Sequence, residues 1–342
     1  MPRSRITVDL GAVRRNAERL RAVLGGSELW AVVKADGYGH GAADVSRAAL
    51  AGGATGLCVA TVREGTALRS HAPGVRVLVM GPWSDDEVGS ARAADLELVV
   101  STPRRLPDDV RLHLKLDTGM GRWGLGELPA ADSGVVGLMS HFASADCDPA
   151  FTVEQTRRFL DAVAPYRDGR LLHLANSAGA LRFAEARLDA ARCGIALYGV
   201  SPFGDDPARD SLEPALRWES ELAQVKLLPP GAGTGYGRRF VAAVPTWIGI
   251  VPVGYADGFR RDLEGTEVRV GDAGRCRAVG TVSMDAFAVL LPGDVPVGTP
   301  VTVIGDGVLA EEHARVAGTI NYEIVCGINS TRERAHRTVV DA

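Results

Sequence analysis

Eight short apolar runs, separated by helical patterns, dominate the first two hundred residues and limit what this chain can fold into. They are Leu29–Ala35, Gly56–Thr61, Val75–Gly81, Leu96–Ser101, Val110–Leu116, Val135–Phe142, Leu171–Ala175 and Ala190–Tyr198. Runs of this length with little polar alternation suit strands covered on both faces, as in a parallel sheet. Amphipathic segments lie between several of them, most clearly at Ala42–Ala51, Val62–Ser70, Asp85–Ala94, Thr152–Pro165 and Ser177–Ala186. Eight strands with helical crossovers predict an α/β fold built on a (β/α)8 barrel. A doubly wound open sheet would have fewer strands and a Gly-rich first turn. Two connections are short: only Thr102–Asp109 separates the fourth and fifth runs, and Trp123–Gly134 the fifth and sixth. A parallel crossover needs about a dozen residues, so the helix after the fourth strand should be reduced to a turn or stub.

Beyond about Glu213 the pattern changes to short β-like runs between Gly and Pro turns. These are Glu221–Leu228, Trp247–Pro252, Glu267–Val270, Arg275–Val279, Ala286–Leu290 and Pro300–Ile304. They predict a mainly β second domain, into which the opening strand Ser4–Val8 could pair. The expected division is therefore a barrel over 9–213 and a β domain over 214–342 that includes residues 1–8. A net charge of −4 without a basic face argues against nucleic acid or a membrane surface as partner. The N-terminus has no apolar signal segment, and no run is long enough to span a bilayer. The five cysteines (Cys58, Cys147, Cys193, Cys276, Cys326) form no metal or disulfide spacing, which suits reduced thiols in the cytoplasm.

Barrel enzymes carry their chemistry at the C-terminal ends of the strands, and here those ends are polar. Lys34 closes the first run in AVVKADGYGHG; Lys115, Asp117 and Arg122 follow the fifth in LKLDTGMGR; His141 follows the sixth in SHFASAD. Asn176 and Ser177 follow the seventh, and Arg192, Gly194 and Ile195 lie on and after the eighth. Desolvation disfavours a charged amine, and a neutral lysine can form a Schiff base with a carbonyl. The ends of strands seven and eight are the habitual phosphate site of such barrels. There the Ser177 hydroxyl and the backbone N–H groups of Gly194 and Ile195 could cradle a phosphate.

The strings AVVKADGYGHG, LKLDTGMGR, SHFASAD, LANSAG, RCGIALYG, TGYGRRF, GYADG, SMD and TINYE, in this order, resemble the alanine racemase family over nearly the whole chain. The resemblance implies a fold type III enzyme that uses pyridoxal 5'-phosphate to interconvert L- and D-alanine, supplying D-alanine for peptidoglycan. It implies a homodimer with shared active sites and a small amino-acid substrate. Lys34 would hold the cofactor as a Schiff base and act as base on one face of the substrate α-carbon. Tyr255, from the second subunit, would act on the other. A free phenol titrates near 10, so a tyrosine base needs surroundings that lower that value. His141 would orient the base and link onward to Arg192 and His173. Arg192 would face the pyridine nitrogen as a pure hydrogen-bond donor. Arg122 would contact the cofactor's phenolic oxygen and the substrate carboxylate. Lys115 matches a lysine that many relatives carry N-carboxylated. Tyr38 and Tyr322 would bind phosphate or shape the entrance, and Met284 would offer a backbone N–H to the substrate carboxylate from the partner, its loop supported by Asp285.

The stretch GINSTRERAHR departs from the Arg-Val-Pro-Arg-like end common in relatives, and the barrel helices beside the two short crossovers are usually longer in the family. Other readings are a serine or broad-range racemase, a PLP-binding barrel without catalysis, and a barrel decarboxylase. The β domain with GYADG argues against the second. The lack of the expected cysteine string around Cys276 or Cys326 argues against the third.

Overall fold

A computed structural model describes residues 3–129, 134–166 and 169–342. The chain divides into two compact units. One holds Ala12–Phe203 with Pro207–Glu213; the other holds the chain up to Gly11, Gly204–Asp206 and Pro214–Ala342.

The first strand, β1 (Arg5–Asp9), belongs to the second unit, and a helix, Leu10–Leu24, follows it. The first unit is a closed parallel barrel of β2 (Glu28–Val32), β3 (Gly56–Val59), β4 (Arg76–Val79), β5 (Glu97–Val100), β6 (Leu112–Lys115), β7 (Val135–Met139), β8 (Leu171–His173) and β9 (Ala190–Cys193). Nearly every residue of these strands is buried, which explains why they read as continuous apolar runs. The barrel closes between β9 and β2, where Trp30 pairs with Arg192 and Ala31 with Cys193.

The strands stop earlier than the apolar runs. The eighth run continues to Tyr198, but Ile195–Tyr198 is a buried 3₁₀ turn rather than strand. The first ends at Val32, two residues before Lys34. The helix read from Thr152 begins at Pro149, with Pro in the first turn and the Asp148 carboxylate capping the Phe151 N–H at 3.0 Å. Between β5 and β6 there is only a turn, in keeping with the short fourth crossover. Between β6 and β7 the described residues hold no helix; Leu116 bridges to Leu125, closing a loop over 117–124.

The second unit carries β10 (Leu216–Glu221), β11 (Gln224–Leu228), β12 (Gly233–Thr234), β13 (Phe240–Val241), β14 (Thr246–Val251), β15 (Glu267–Val270), β16 (Gly274–Val279), β17 (Phe287–Leu290), β18 (Pro300–Ile304) and β19 (His336–Val340). Nine of its strands form one sheet in the order β11-β14-β17-β16-β15-β18-β10-β1-β19. β1 lies inside it, antiparallel to β10 and parallel to β19. The alternation of β10, LRWESE, buries Leu216, Trp218 and Ser220. Trp218 donates its indole N–H to Ser4 Oγ at 2.7 Å, and Phe259 stacks on Phe287 at 4.0 Å. The run Glu221–Leu228 is not one strand; the chain turns at Leu222 and Ala223 between β10 and β11. Two helices, Ala310–Ala317 and Asn321–Cys326, interrupt the β pattern.

Candidate active site

Lys34 sits where the chain leaves β2, and the backbone beyond it is unusual. Ala35, Asp36, Gly37 and Tyr38 all have positive φ, between 49° and 63°, making one left-handed turn. Each non-glycine residue there carries a penalty of about 1–2 kcal/mol, so neighbours must impose the conformation. Glu64 is one of them. Its carboxylate accepts the N–H groups of Ala35 at 2.9 Å, Ala60 at 2.7 Å and Thr61 at 3.2 Å, while Thr61 Oγ1 caps the Glu64 N–H. Asp36 accepts the Ala42 N–H at 2.8 Å.

The turn delivers the Tyr38 ring onto Tyr198, centroids 4.8 Å apart, and its hydroxyl against Gly194. A Cβ on residue 194 would fall inside hydrogen-bonding distance of that hydroxyl and 3.0 Å from Cζ. The glycine there is thus a requirement of close packing. Beside it, Ser177 Oγ accepts the Gly194 N–H at 3.0 Å and the Ala196 N–H at 3.4 Å. Asn176 caps the following turn through the Gly179 N–H at 2.9 Å, so its side chain is committed to the backbone. Ile195 is buried in the 3₁₀ turn.

Arg192 is 2% exposed. Its Nη1 donates to His173 Nδ1 at 2.6 Å and to the His173 carbonyl at 3.0 Å. Its Nη2 donates to the carbonyls of Ser140 at 2.8 Å and Leu174 at 3.0 Å, and reaches His141 Nδ1 at 3.3 Å. The Nε–H is buried with no acceptor among the described residues, an arrangement that native sites rarely tolerate without a ligand. Burial holds the guanidinium down to about 10, which still leaves it charged at neutral pH. Burial, then the Arg192 charge, pushes His141 and His173 well below the ordinary imidazole value, so both are neutral.

Lys115 is buried, and that burial, with the charges of Arg192 and Arg122, lowers its amine to about 8. Arg122 is exposed on the following loop, its guanidinium 5.1 Å from the Trp123 ring; the Lys115 ammonium lies 5.9 Å from the same ring. Asp117 does not join them. Its carboxylate accepts the N–H groups of Gly119, Met120 and Gly121 at 2.9, 2.9 and 3.0 Å, which shapes the loop. Cys58 and Cys193, pushed up to about 12 by burial, are not nucleophiles.

In the second unit Tyr255 and Met284 are exposed and occupy adjacent loops. The Tyr255 N–H donates to the Ser283 carbonyl at 3.1 Å and the Ala256 N–H to the Met284 carbonyl at 3.0 Å. Asp257 and Asp285 both bind Arg334, at 2.8 and 2.9 Å, so the divergent tail clamps these two loops together. Tyr322 is half-buried in the helix Asn321–Cys326. Sequence reading gave the tyrosine of TGYGRRF no role, yet the structure sets Tyr236 beside the same loop. Thr281 Oγ1 donates to its carbonyl at 2.8 Å. Gly235 and Gly237, at φ 75° and 72°, flank it. Tyr236 is 68% exposed against 40% for Tyr255. A tyrosine held between two left-handed glycines is the signal that could have marked it.

An orphaned buried N–H on Arg192, a glycine held open against Tyr38, the buried Ser177 hydroxyl beside it, and Lys34 at the end of β2 beside β9 fit pyridoxal 5'-phosphate.

Family models for the N-terminal and C-terminal domains of alanine racemase match residues 8–202 and 215–337. The alanine racemase of Beutenbergia cavernae is 41% identical, with 97% of each chain covered. The crystal structure of biosynthetic alanine racemase from Pseudomonas aeruginosa superposes with a TM-score of 0.91 at 34% identity, covering 99% of both chains. That of alanine racemase from E. faecalis gives 0.90 at 35% identity, covering 99% of this chain and 98% of the other.

Proposed function

The chain belongs to the alanine racemase family of isomerases, and from that premise we propose that it exchanges L- and D-alanine with pyridoxal 5'-phosphate and two opposed bases. The buried, unpartnered Nε–H of Arg192 is the observation that carries this reading. A charged donor with no carboxylate against it can bind the pyridine nitrogen without giving up its proton. The bound cofactor withdraws electron density from the substrate α-carbon and makes its C–H acidic.

The chain's residues do the rest. Lys34 anchors the cofactor and takes or returns the α-proton on one face. Ser177, Gly194 and Ile195 bind the phosphate end, with Tyr38 closing over it. Arg122 meets the substrate carboxylate, aided by the backbone N–H of Met284 of the partner subunit. Lys115, whose lowered amine is partly neutral near pH 7, can capture carbon dioxide and become an anion that holds Arg122. The opposite face needs a second proton carrier. Tyr255 was expected to fill that role from a partner subunit. Exposure and the double-glycine mounting favour Tyr236, so we assign the role to Tyr236 with Tyr255 lining the entrance beside Tyr322. Two exposed tyrosines and Met284 on one loop cluster suit a homodimer in which each β domain completes its partner's site. A role in supplying D-alanine for peptidoglycan in the cytoplasm accords with this activity; among the described residues no helix is long and apolar enough to cross a membrane.

The test is chiral analysis of L-alanine and L-serine incubated separately with PLP-loaded protein, beside Lys34→Ala, Tyr236→Phe and Tyr255→Phe. Racemisation of alanine ahead of serine, lost in the first two variants while Tyr236→Phe still binds cofactor, supports the reading. Cofactor bound through Lys34 with no amino acid racemised would contradict it.

A further inference from the structure

Glu97 is the anomaly of the barrel interior: a carboxylate opening an apolar strand, 2% exposed, far from any role given above. A buried charge persists only when it is paired and hydrogen-bonded. Arg76 reaches it at 3.0 Å and Arg111 at 2.9 Å, and its other contact leads toward the active site. Glu97 Oε2 lies 2.8 Å from His113 Nε2, and His113 Nδ1 lies 2.8 Å from His173 Nε2. His173 Nδ1 meets Arg192 Nη1.

Donor and acceptor chemistry fixes every proton along this line. A guanidinium only donates, so His173 Nδ1 must accept. Neutral His173 then carries its proton on Nε2 and donates it to His113 Nδ1. Neutral His113 carries its proton on Nε2 and donates it to the Glu97 carboxylate, which only accepts. Reversing any member would set donor against donor. Burial pushes both imidazoles below their ordinary value, consistent with neutral rings. The surroundings are shaped for the chain. A Cβ on Gly137 would lie 2.5 Å from His113 Cε1, so only glycine leaves room for that ring. Trp30 packs against His113 and His173 at centroid distances of 5.9 and 4.7 Å.

We propose that Glu97 and His113 are positioning residues for the reaction, holding Arg192 through this one-way chain so that its remaining N–H faces the cofactor ring. The proposal rests on Arg192 facing the pyridine nitrogen. Among the described residues Arg192 contacts carbonyls and neutral imidazoles but no anion, and the thiols of Cys58 and Cys193 beside it stay protonated. Glu97 serves as its counterion at one remove, each imidazole being polarised by the next bond. Arg76 and Arg111, with Glu28 and Asp95 paired to them, anchor the far end.

Two measurements test this. The first uses wild-type protein without cofactor, ¹⁵N-labelled at histidine. Two-bond nitrogen–proton correlations should show His113 and His173 neutral and protonated at Nε2 across the neutral range. A proton on Nδ1 of either ring, or a cationic ring, overturns the chain, whatever becomes of the racemase reading. The second follows the absorbance of bound cofactor with pH. In Glu97→Gln, where Arg192 loses its distant anion, and in Gly137→Ala, where the His113 ring that links the two is displaced, the alkaline transition should move down by about half a pH unit or more. Racemisation should fall relative to transamination in both. A Glu97→Gln titration superimposable on wild type would reduce Glu97 to an anchor for Arg76 and Arg111, and the proposal fails. Should the variants not fold, the wild-type tautomers decide alone.

Discussion

Gly194→Ala adds one methyl group where Gly194 packs against Tyr38, at the proposed phosphate end of the cofactor site. The new Cβ would press on the Tyr38 hydroxyl and stand 3.0 Å from its Cζ and 3.4 Å from Val32 Cβ. Tyr38 has little freedom to retreat. Its φ is 54°, its ring stacks on Tyr198, and Tyr198 is tied to the Val32 carbonyl by a 2.8 Å hydrogen bond. Overpacking of this kind costs about 1–3 kcal/mol, which corresponds to roughly a 5- to 150-fold weaker cofactor if the strain falls on the bound state. Absorbance titration of the apoenzyme with pyridoxal 5'-phosphate measures that, and thermal unfolding of the apoenzyme measures any share taken by the fold. The geometry also specifies a rescue. Tyr38→Phe removes the atom in closest conflict and leaves the 3.0 Å approach to Cζ, which a small ring shift relieves. Gly194→Ala should cost cofactor affinity at least several-fold less in the Tyr38→Phe background than in the wild type, a coupling expected of touching residues. An additive or worse double variant would show that the glycine serves the backbone and not the Tyr38 contact.

Other residues yield equally direct expectations. His313, buried against Phe259, is lowered from 6.5 to about 4 by desolvation. A depressed folded value means stability is complete above pH 6.5 and falls as pH drops toward about 4, by about 3 kcal/mol in all. Urea unfolding across that range should show the loss, and His313→Leu should flatten it; an unchanged slope would refute the assignment. Glu64→Ala removes the acceptor for three N–H groups around the left-handed turn, so it should cost about 1–2 kcal/mol in unfolding experiments and weaken cofactor binding. Wild-type cofactor affinity in that variant would show the turn is held by other contacts. Native mass spectrometry in bicarbonate should find the added mass of one carbon dioxide, absent in Lys115→Ala, and its equal presence in both would place the carbamate elsewhere.

The barrel was legible because strands covered on both faces leave an unbroken apolar signature, and a crossover too short for a helix is evident by length alone. Strand ends were less so. Ile195–Tyr198 is as apolar as β9 because it too is buried, and apolarity does not separate a strand from a 3₁₀ turn. The helices Ala310–Ala317 and Asn321–Cys326 are only two turns or less, short enough to pass for loop between strands. β19 pairs in parallel with β1 from the opposite end of the chain, a partnership no local pattern encodes. At the proposed site, Lys34 and Ser177 were readable from the ends of apolar runs, whereas Arg192, inside the eighth run, was legible only through the family resemblance. Glu97 and His113 were hidden inside such runs, since only the closed barrel brings their side chains into line. The role proposed for Tyr236 has no signal in the sequence, because two glycines and a tyrosine read as an ordinary turn until its exposure and its bridge to Thr281 are known.

Removal and return of the α-proton by opposed bases leave an isotopic signature. L-Alanine bearing protium at Cα is incubated with the PLP-loaded enzyme in D₂O, and early D-alanine is isolated and analysed by mass. With Lys34 on one face and a tyrosine on the other, the first D-alanine formed should carry solvent deuterium while unreacted L-alanine keeps its protium. D-Alanine that retains the original protium would mean one base carries the proton across, and the two-base account would be wrong.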